Sequence, residues 1–384
     1  MKCRICESEC RMFLDLGKQP LANRFLTPDQ FAHETFYNLD IHFCPECLTV
    51  QIGDCPDSSE VFNGEYPFFT GTSSRMVQHF ADLAGLIKSR YMPEGGLIVE
   101  MGSNDGTFLV NFEDVNHVGL DPSSNVTEIA RGKGLNVHPY SFSSSFFDPQ
   151  EIDVLVSANV FAHIPDRHGV LDSIKESLAL EGVWINEEPY LIDIIDGLAY
   201  DQFYNEHVFY TSIASMQNVL ETHDLEIKDF ELIWPHGGSI RYFVGHKTRG
   251  DNPKIRLAIR SEGLGNIGVF HKFGTKVYGK ILKFKQDITN VKPTAVGYAA
   301  TAKSTTVLNS CGIGPDLISR IYDTTPDKQG KYSPGSHIPI VPYDQFKIDA
   351  PENVVLFAWN HTREILKKEA GFNRNWIMPT GGHV

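Results

Sequence analysis

The short apolar runs GGLIVEMGSNDG, VNHVGLDPS, LNVHPY, IDVLVSANVFAHI and GVWINEEPYL constrain this chain more than any other feature. Each has the length of a strand, and helical stretches such as SNVTEIARGKG and RHGVLDSIKESLALEG separate several of them. Buried strands that alternate with helices pair in parallel, so the pattern predicts an α/β fold whose sheet is joined by crossovers. YPFFTGTSSRMVQHFADLAGLIKSRY leads in, and its later apolar positions fit a helix.

A second α/β pattern follows near residue 250, with no residue-level repeat of the first. KVYGKILKFKQDITN reads as a helix, TAVGYAA as a strand entering a small-residue loop, and STTVLNSC as the start of the next helix. IPIVPY and NVVLFAW read as strands, HTREILKKEAG as a closing helix, and the residues after Asn375 as a short tail. Ahead of both lie about 68 residues containing FYNLDIHFC, which alternates like a strand, and LDLGKQPLANRFL, which reads as turn-rich. With 384 residues, three units are expected: 1–68, 69–248 and 249–384.

A formal charge of −14 spread along the chain argues against nucleic acid, which needs clustered Lys and Arg. MKCRICESECRM lacks the apolar core of a secretory signal, and no apolar stretch is long enough to span a bilayer. A soluble, cytoplasmic protein without nucleic-acid or membrane partners, a monomer or weak homo-oligomer, is the expectation. Among 7 cysteines, Cys3 pairs with Cys6 and Cys44 with Cys47 at the spacing by which two thiolates turn toward one ion. The four make a complete structural zinc shell, with Cys10 a substitute ligand and Cys55 a weaker one. Scattered reduced core cysteines are the competing reading.

LIVEMGSNDGTFL places small and polar residues directly after a buried strand, with Glu100, Gly102 and Gly106 in an E-x-G-x-x-x-G arrangement. Glycines there permit a tight turn and close approach of a ligand. Asp121, ending the next strand, suits a ribose hydroxyl pair, and together these describe an adenosyl pocket. S-adenosylmethionine fits, its ammonium balanced by Glu100 or Asp105. A glycine turn with a capping aspartate is the plainer alternative. Asn159 lies where a further strand reaches the same cleft, and His163 stands close by.

YDQFYNEHVFY sets Glu206 beside His207 with tyrosines on both sides. Methyl transfer to oxygen or nitrogen uses a lone pair, whereas transfer to carbon needs a carbanion equivalent. Next to a ketone, a histidine of ordinary pKa about 6.5 can generate one by removing a proton. His207 is the candidate base, and Tyr204 and Tyr66 are candidate donors to the oxyanion. Glu206 is suited to fixing a tyrosine or accepting a ligand hydroxyl. Tyr200 and Tyr210 read as packing residues, and the whole stretch as a polar loop is the alternative.

Taken together, CRIC, CPEC, VEMGSNDGTFL, GLDPSSN, SANVFAHIPD, YNEH, PHGGSIR, GYAATAKSTTVLNSCG, DTTPDKQGKYSPGSHIPIVP and FAWN resemble the S-adenosylmethionine-dependent nucleotide-sugar C-methyltransferases over essentially the whole chain. The resemblance implies a zinc-binding amino-terminal domain, a Rossmann-like class I methyltransferase domain and a second Rossmann-like α/β domain. It implies a thymidine-diphosphate-linked 4-keto sugar methylated at C3. It puts His207 at the base, with Tyr204, Glu206, His163 and Tyr66 as companions. It puts Glu100, Gly102, Asn104, Asp105, Gly106, Asp121 and Asn159 around the cofactor, and Lys303, Thr305 and Asn309 near the sugar nucleotide. Asn205, the alanine that follows the tyrosine of GYAATAK and Glu188 of INEEPY depart from the usual pattern; Glu188 is expected to meet either a substrate group or water. An O- or N-methyltransferase, and a non-catalytic zinc-containing interaction protein, are the rival readings.

Overall fold

The computed structural model describes residues 1–379 apart from 65, 93, 249, 372 and 373. The chain opens with three antiparallel strands, β1 (Arg11–Pro20), β2 (Phe36–Phe43) and β3 (Val50–Ile52). β1 runs through LDLGKQP, so the first half of the segment expected to be turn-rich is strand. The irregularity that misleads is a register shift between Asp15 and Lys18 at Gly17, which has φ +73°. Buried Phe13, Leu14 and Leu16 give the strand its reason to form.

The helix Ser74–Arg90 follows, its N-terminus capped by the Ser73 hydroxyl, which accepts from the Met76 N–H. His79, Phe80, Leu83, Ala84 and Ile87 recur at three- and four-residue spacing and form its buried face. Then come β4 (Leu97–Met101), β5 (Asn116–Leu120), β6 (Val137–His138), β7 (Ile152–Ala158) and β8 (Leu178–Pro189). β9 (Phe209–Tyr210), β10 (Leu225–Ile233) and β11 (Ser239–His246) complete this stretch. Seven strands make one sheet in the order β10-β11-β8-β7-β4-β5-β6, with β4 to β8 parallel and β10 and β11 antiparallel at one side. β4 sits where the order reverses, with β5 on one flank and β7 on the other, and the crevice beyond its carboxyl end is the usual ligand position of such sheets.

β9 does not join this sheet. It pairs with β3, Val50 opposite Tyr210 and Gln51 opposite Phe209, so the YDQFYNEHVFY segment is anchored to the amino-terminal strands.

The last region contains the 24-residue helix Ile267–Asn290 and β12 (Ala295–Tyr298), β13 (Ile318–Asp323), β14 (Ile340–Pro342), β15 (Asn353–Leu356) and β16 (Asn375–Ile377). All pair in parallel in the order β14-β13-β12-β15-β16, which gives β12 a second switch point. β16 corrects the expectation of a featureless tail: Trp376 packs on Tyr298 with ring centroids 5.7 Å apart and draws the segment onto the sheet edge. The long helix presses on β1, where a side chain at Gly274 would fall 2.3 Å from the Phe13 carbonyl oxygen. Phe270 stacks on Phe43 at 4.3 Å across the same contact. Among the described residues no helix is long and apolar enough to cross a membrane.

Candidate active site

The sulfurs of Cys3, Cys6, Cys44 and Cys47 all lie within 4.8 Å of one another, with Cys3 to Cys47 at 3.5 Å and Cys6 to Cys44 at 3.4 Å. Tetrahedral zinc with bonds of about 2.3 Å sets neighbouring sulfurs about 3.8 Å apart, so this shell fits the ion. Four thiolates leave no open position, and the ion's work is to hold the loops that flank β1 and β2. Cys10 stands outside the group, its thiol pushed up to about 12 mainly by burial and receiving the Gln51 amide at 3.8 Å. Cys55 is outside as well, with its thiol on the Pro56 carbonyl.

At the end of β4, Glu100 is buried and its Oε2 has no hydrogen-bond partner among the described residues. Burial first, then nearby Asp121 and Asp105, hold its carboxyl well above the usual range. A buried acid of this kind calls for a cation. Gly102, with φ +74°, could not carry a side chain without meeting Val160 Cγ2 at 2.3 Å, and Gly106, with φ +76°, would meet Leu135 Cδ1 at 2.3 Å. The loop therefore hugs its surroundings and leaves a small cavity lined by Glu100, Gly102, Ser103, Asn104, Phe80 and Ala158. Asp121 accepts the Asn104 N–H at 3.0 Å and the Ser123 N–H at 2.8 Å, which fixes its carboxylate beside the glycine loop. Asn159 lies just past β7 at φ +57°, its Oδ1 also buried without a partner among the described residues.

Two side chains expected around the cofactor also hold the neighbouring chain. Asn104 accepts the Thr70 N–H at 3.0 Å and donates to the Phe68 carbonyl at 3.0 Å, while Asp105 accepts the Gly71 N–H at 3.0 Å. They fasten the strap 68–71 over the glycine loop.

His207 Nε2 and the Tyr204 hydroxyl are 2.7 Å apart. The ring of His163 meets His207 edge-on with centroids at 4.5 Å, and Phe62 meets His163 edge-on at 5.2 Å. Burial holds His163 down at about 4. Burial, and then the charges of His163, His236 and Lys303, hold His207 well below the usual imidazole value, which favours the neutral ring at physiological pH. Burial and then the charges of Glu206 and Asp121 raise the Tyr66 phenol above its ordinary value. Its backbone carbonyl takes the Asn125 amide at 2.8 Å. Glu206 turns away from His207: its carboxylate accepts the Asn23 N–H at 2.9 Å and the Asn23 side-chain amide at 2.6 Å.

Asn205 also points away, its amide on the Gln19 and Pro20 carbonyls at 3.0 and 3.3 Å, so this departure from the pattern faces the amino-terminal strands. Glu188 meets neither water nor an open site; it is fully buried, 3.8 Å from Arg167 and bonded by the Thr211 hydroxyl. Tyr200 and Tyr210 are fully buried, as packing residues should be, and the Tyr210 hydroxyl additionally accepts the Tyr204 N–H at 3.0 Å.

From the last region, the helix Ala302–Cys311 starts at β12 and reaches the same place. Lys303 is buried rather than solvated, lowered by burial to about 8, with its Nζ on the His236 carbonyl at 3.2 Å and 4.7 Å above the Trp359 ring. Thr305 and Asn309 also make contacts within the protein. The Thr305 hydroxyl donates to the Ala22 carbonyl at 2.8 Å, and the Asn309 amide donates to the carbonyls of Thr305 and Pro334. Both brace the helix, and Lys303, with three donors and the His236 carbonyl as a partner, keeps donors to offer.

Several participants escaped sequence reasoning. Asp201, inside the quoted segment, takes the Trp359 indole N–H at 2.6 Å, and His236 of PHGGSIR sits at φ +57° with the Gln202 amide on its carbonyl at 2.5 Å. Glu187 holds His79 at 2.7 Å and Arg241 at 2.6 Å. Only the long-range fold brings these partners together, and PLANRF gave no sign that Asn23 would reach Glu206.

Comparison with known proteins bears on the family. A zinc binding domain family matches residues 3–62, a methyltransferase domain family residues 75–229, and the C-methyltransferase C-terminal domain family residues 234–379. C-methyltransferase NovU of Streptomyces niveus is 30% identical over 401 aligned positions, covering 98% of this chain and 95% of that protein. Among solved structures, the PH0226 protein from Pyrococcus horikoshii OT3 is 16% identical over 50% of this chain and 100% of its own, with a TM-score of 0.39. A SAM-dependent methyltransferase from Thermotoga maritima is 20% identical over 45% of this chain and 92% of its own, with a TM-score of 0.35. The buried acid and glycine cradle after β4, the four-thiol shell and the end-to-end match with NovU lead to one conclusion: the chain belongs to the S-adenosylmethionine-dependent C-methyltransferase family and carries a zinc site.

Proposed function

We propose that the chain methylates C3 of a 4-keto deoxysugar carried on a nucleoside diphosphate, thymidine diphosphate being the first candidate. The observation behind this reading is the buried, neutral His207 with Tyr204 at 2.7 Å and His163 beside it. A hydroxyl or amine already carries a lone pair, whereas carbon must lose a proton before it can attack, and a neutral buried imidazole can take that proton.

S-adenosylmethionine supplies an electrophilic methyl on a sulfonium and departs as a neutral thioether. His207 takes the C3 proton, and the C–H electron pair becomes the C3–C4 double bond of an enolate whose negative charge rests on the C4 oxygen. C3 then returns that pair to the methyl carbon as the new C–C bond. Nε2 can accept a proton only when bare, so the Tyr204 hydroxyl must leave it. Its natural destination is the C4 oxygen, where the hydrogen bond strengthens as charge develops. In this reading one phenol both frees the base and stabilises the oxyanion. Tyr66 serves as a second donor.

Glu100 balances the methionine ammonium, Asp121 receives the ribose, Gly102, Gly106 and Asn159 shape the cavity, and Asn104 and Asp105 fasten the strap over it. Lys303 meets the diphosphate. Residues 1–68 hold zinc, 69–248 the cofactor and 249–384 the sugar nucleotide. Deuterium exchange at the sugar carbon tests the base: His207→Asn should bind cofactor normally and lose exchange, and undiminished exchange would remove His207 from the role.

A further inference from the structure

The end of β1 and the loop that follows it, Gln19 to Phe25, touch the YDQFYNEHVFY segment and the last region at once. The Gln19 and Pro20 carbonyls hold Asn205, Asn23 holds Glu206, and the Ala22 carbonyl receives Thr305. The Asn23 contact differs in kind from ordinary packing. It clamps a buried carboxylate at both oxygens, one by backbone and one by side chain, and an apolar contact would join the same surfaces with less desolvation.

The clamp has a target. The backbone carbonyl of Glu206 lies 2.6 Å from His163 Nδ1. A carbonyl only accepts, so Nδ1 carries the proton, and a neutral His163 keeps its lone pair on Nε2. The residue that Asn23 immobilises is thus the one that sets the tautomer of His163, and it directly precedes His207. We propose that Asn23 is a positioning residue of the active site: by fixing Glu206 it fixes the carbonyl that orients His163, so the zinc-bearing region takes part in the reaction as well as in folding. This rests on the function proposed above for His163 and His207.

The test uses the full-length zinc-loaded enzyme. In the parent protein, the His163 ring signals, identified by their absence in His163→Asn, should report the Nδ1–H tautomer by 15N NMR; an Nε2–H tautomer would overturn the proposal without any further variant. Asn23→Ala should lower kcat about 10- to 100-fold, since small misplacements of reacting groups cost that much. Asn23→Asp, which cannot donate and repels Glu206, should lower it further. In both, KM for the sugar nucleotide, cofactor affinity and zinc content should stay within about two-fold, and the His163 signal should shift or broaden. A kcat within two-fold of the parent, or a parallel loss of kcat, cofactor affinity and zinc, would overturn the assignment. A parent enzyme that methylates no 4-keto sugar nucleotide would sink the reading of function, while the tautomer measurement would still decide the role of Asn23.

Discussion

His207 and His163 stand in a site that disfavours the imidazolium, and this has a consequence for pH. Both are lowered by burial, His163 to about 4 and His207 well below its ordinary value, so protonation of the base begins only at pH values below the ordinary range. The acid limb of kcat/KM assigned to the base should therefore lie below pH 6.5, the value of an unperturbed histidine; a limb at or above it would show that His207 is not held as described. Tyr204→Phe removes both the partner of Nε2 and the proposed oxyanion donor, and a loss of about 100- to 1,000-fold in kcat is expected, with cofactor affinity retained. Gly102→Ala puts a methyl group against Val160 in a left-handed conformation. Strain of about 1–2 kcal/mol and overpacking of about 1–3 kcal/mol should lower stability and cofactor binding together, read by calorimetry and a cofactor titration. A variant with the parent's affinity would mean that the loop does not cradle the ligand closely.

The elements that present these residues were unevenly legible in the sequence. β4, β5, β7 and β8 stood out because continuous apolar runs are what a strand buried on both faces requires. The loop after β4 could be located from Glu100, Gly102 and Gly106, since only a tight turn explains small residues there. β1 was hidden, because Gly17 and the register shift at Asp15–Lys18 break the alternation that marks a strand. β9 is two residues long and owes its existence to a partner more than 150 positions away, Val50 opposite Tyr210, which no local pattern records. Side-chain destinations were least legible. Glu206 and Asn205 were visible as residues of an acid–base segment, yet their attachment to Asn23, Gln19 and Pro20 depends on the docking of β1. Thr305 and Asn309 look polar in sequence, yet they brace a buried helix.

At the scale of the whole molecule, three sheets converge on one short segment. β9 ties it to the zinc-bearing strands, the Thr306 hydroxyl donates to the Phe203 carbonyl at 2.8 Å from the last region, and His163 approaches from the end of β7. Zinc should therefore matter beyond its own loops. Four thiolates binding zinc supply on the order of 10 kcal/mol of folding free energy. Cys44→Ser should release the metal, lower the melting temperature and depress turnover; a zinc-free chain with unchanged melting and turnover would separate the amino-terminal sheet from the active site.

The central claim is transfer to carbon next to a ketone, and the most direct measurement follows the methyl group itself. The enzyme is incubated with 13C-methyl-labelled S-adenosylmethionine and a panel of 4-keto nucleotide sugars, and the product is examined by mass and NMR. Label bonded to C3, with solvent exchange at that carbon abolished in His207→Asn, is the result predicted; label found only on oxygen or nitrogen, or on no sugar at all, would contradict it.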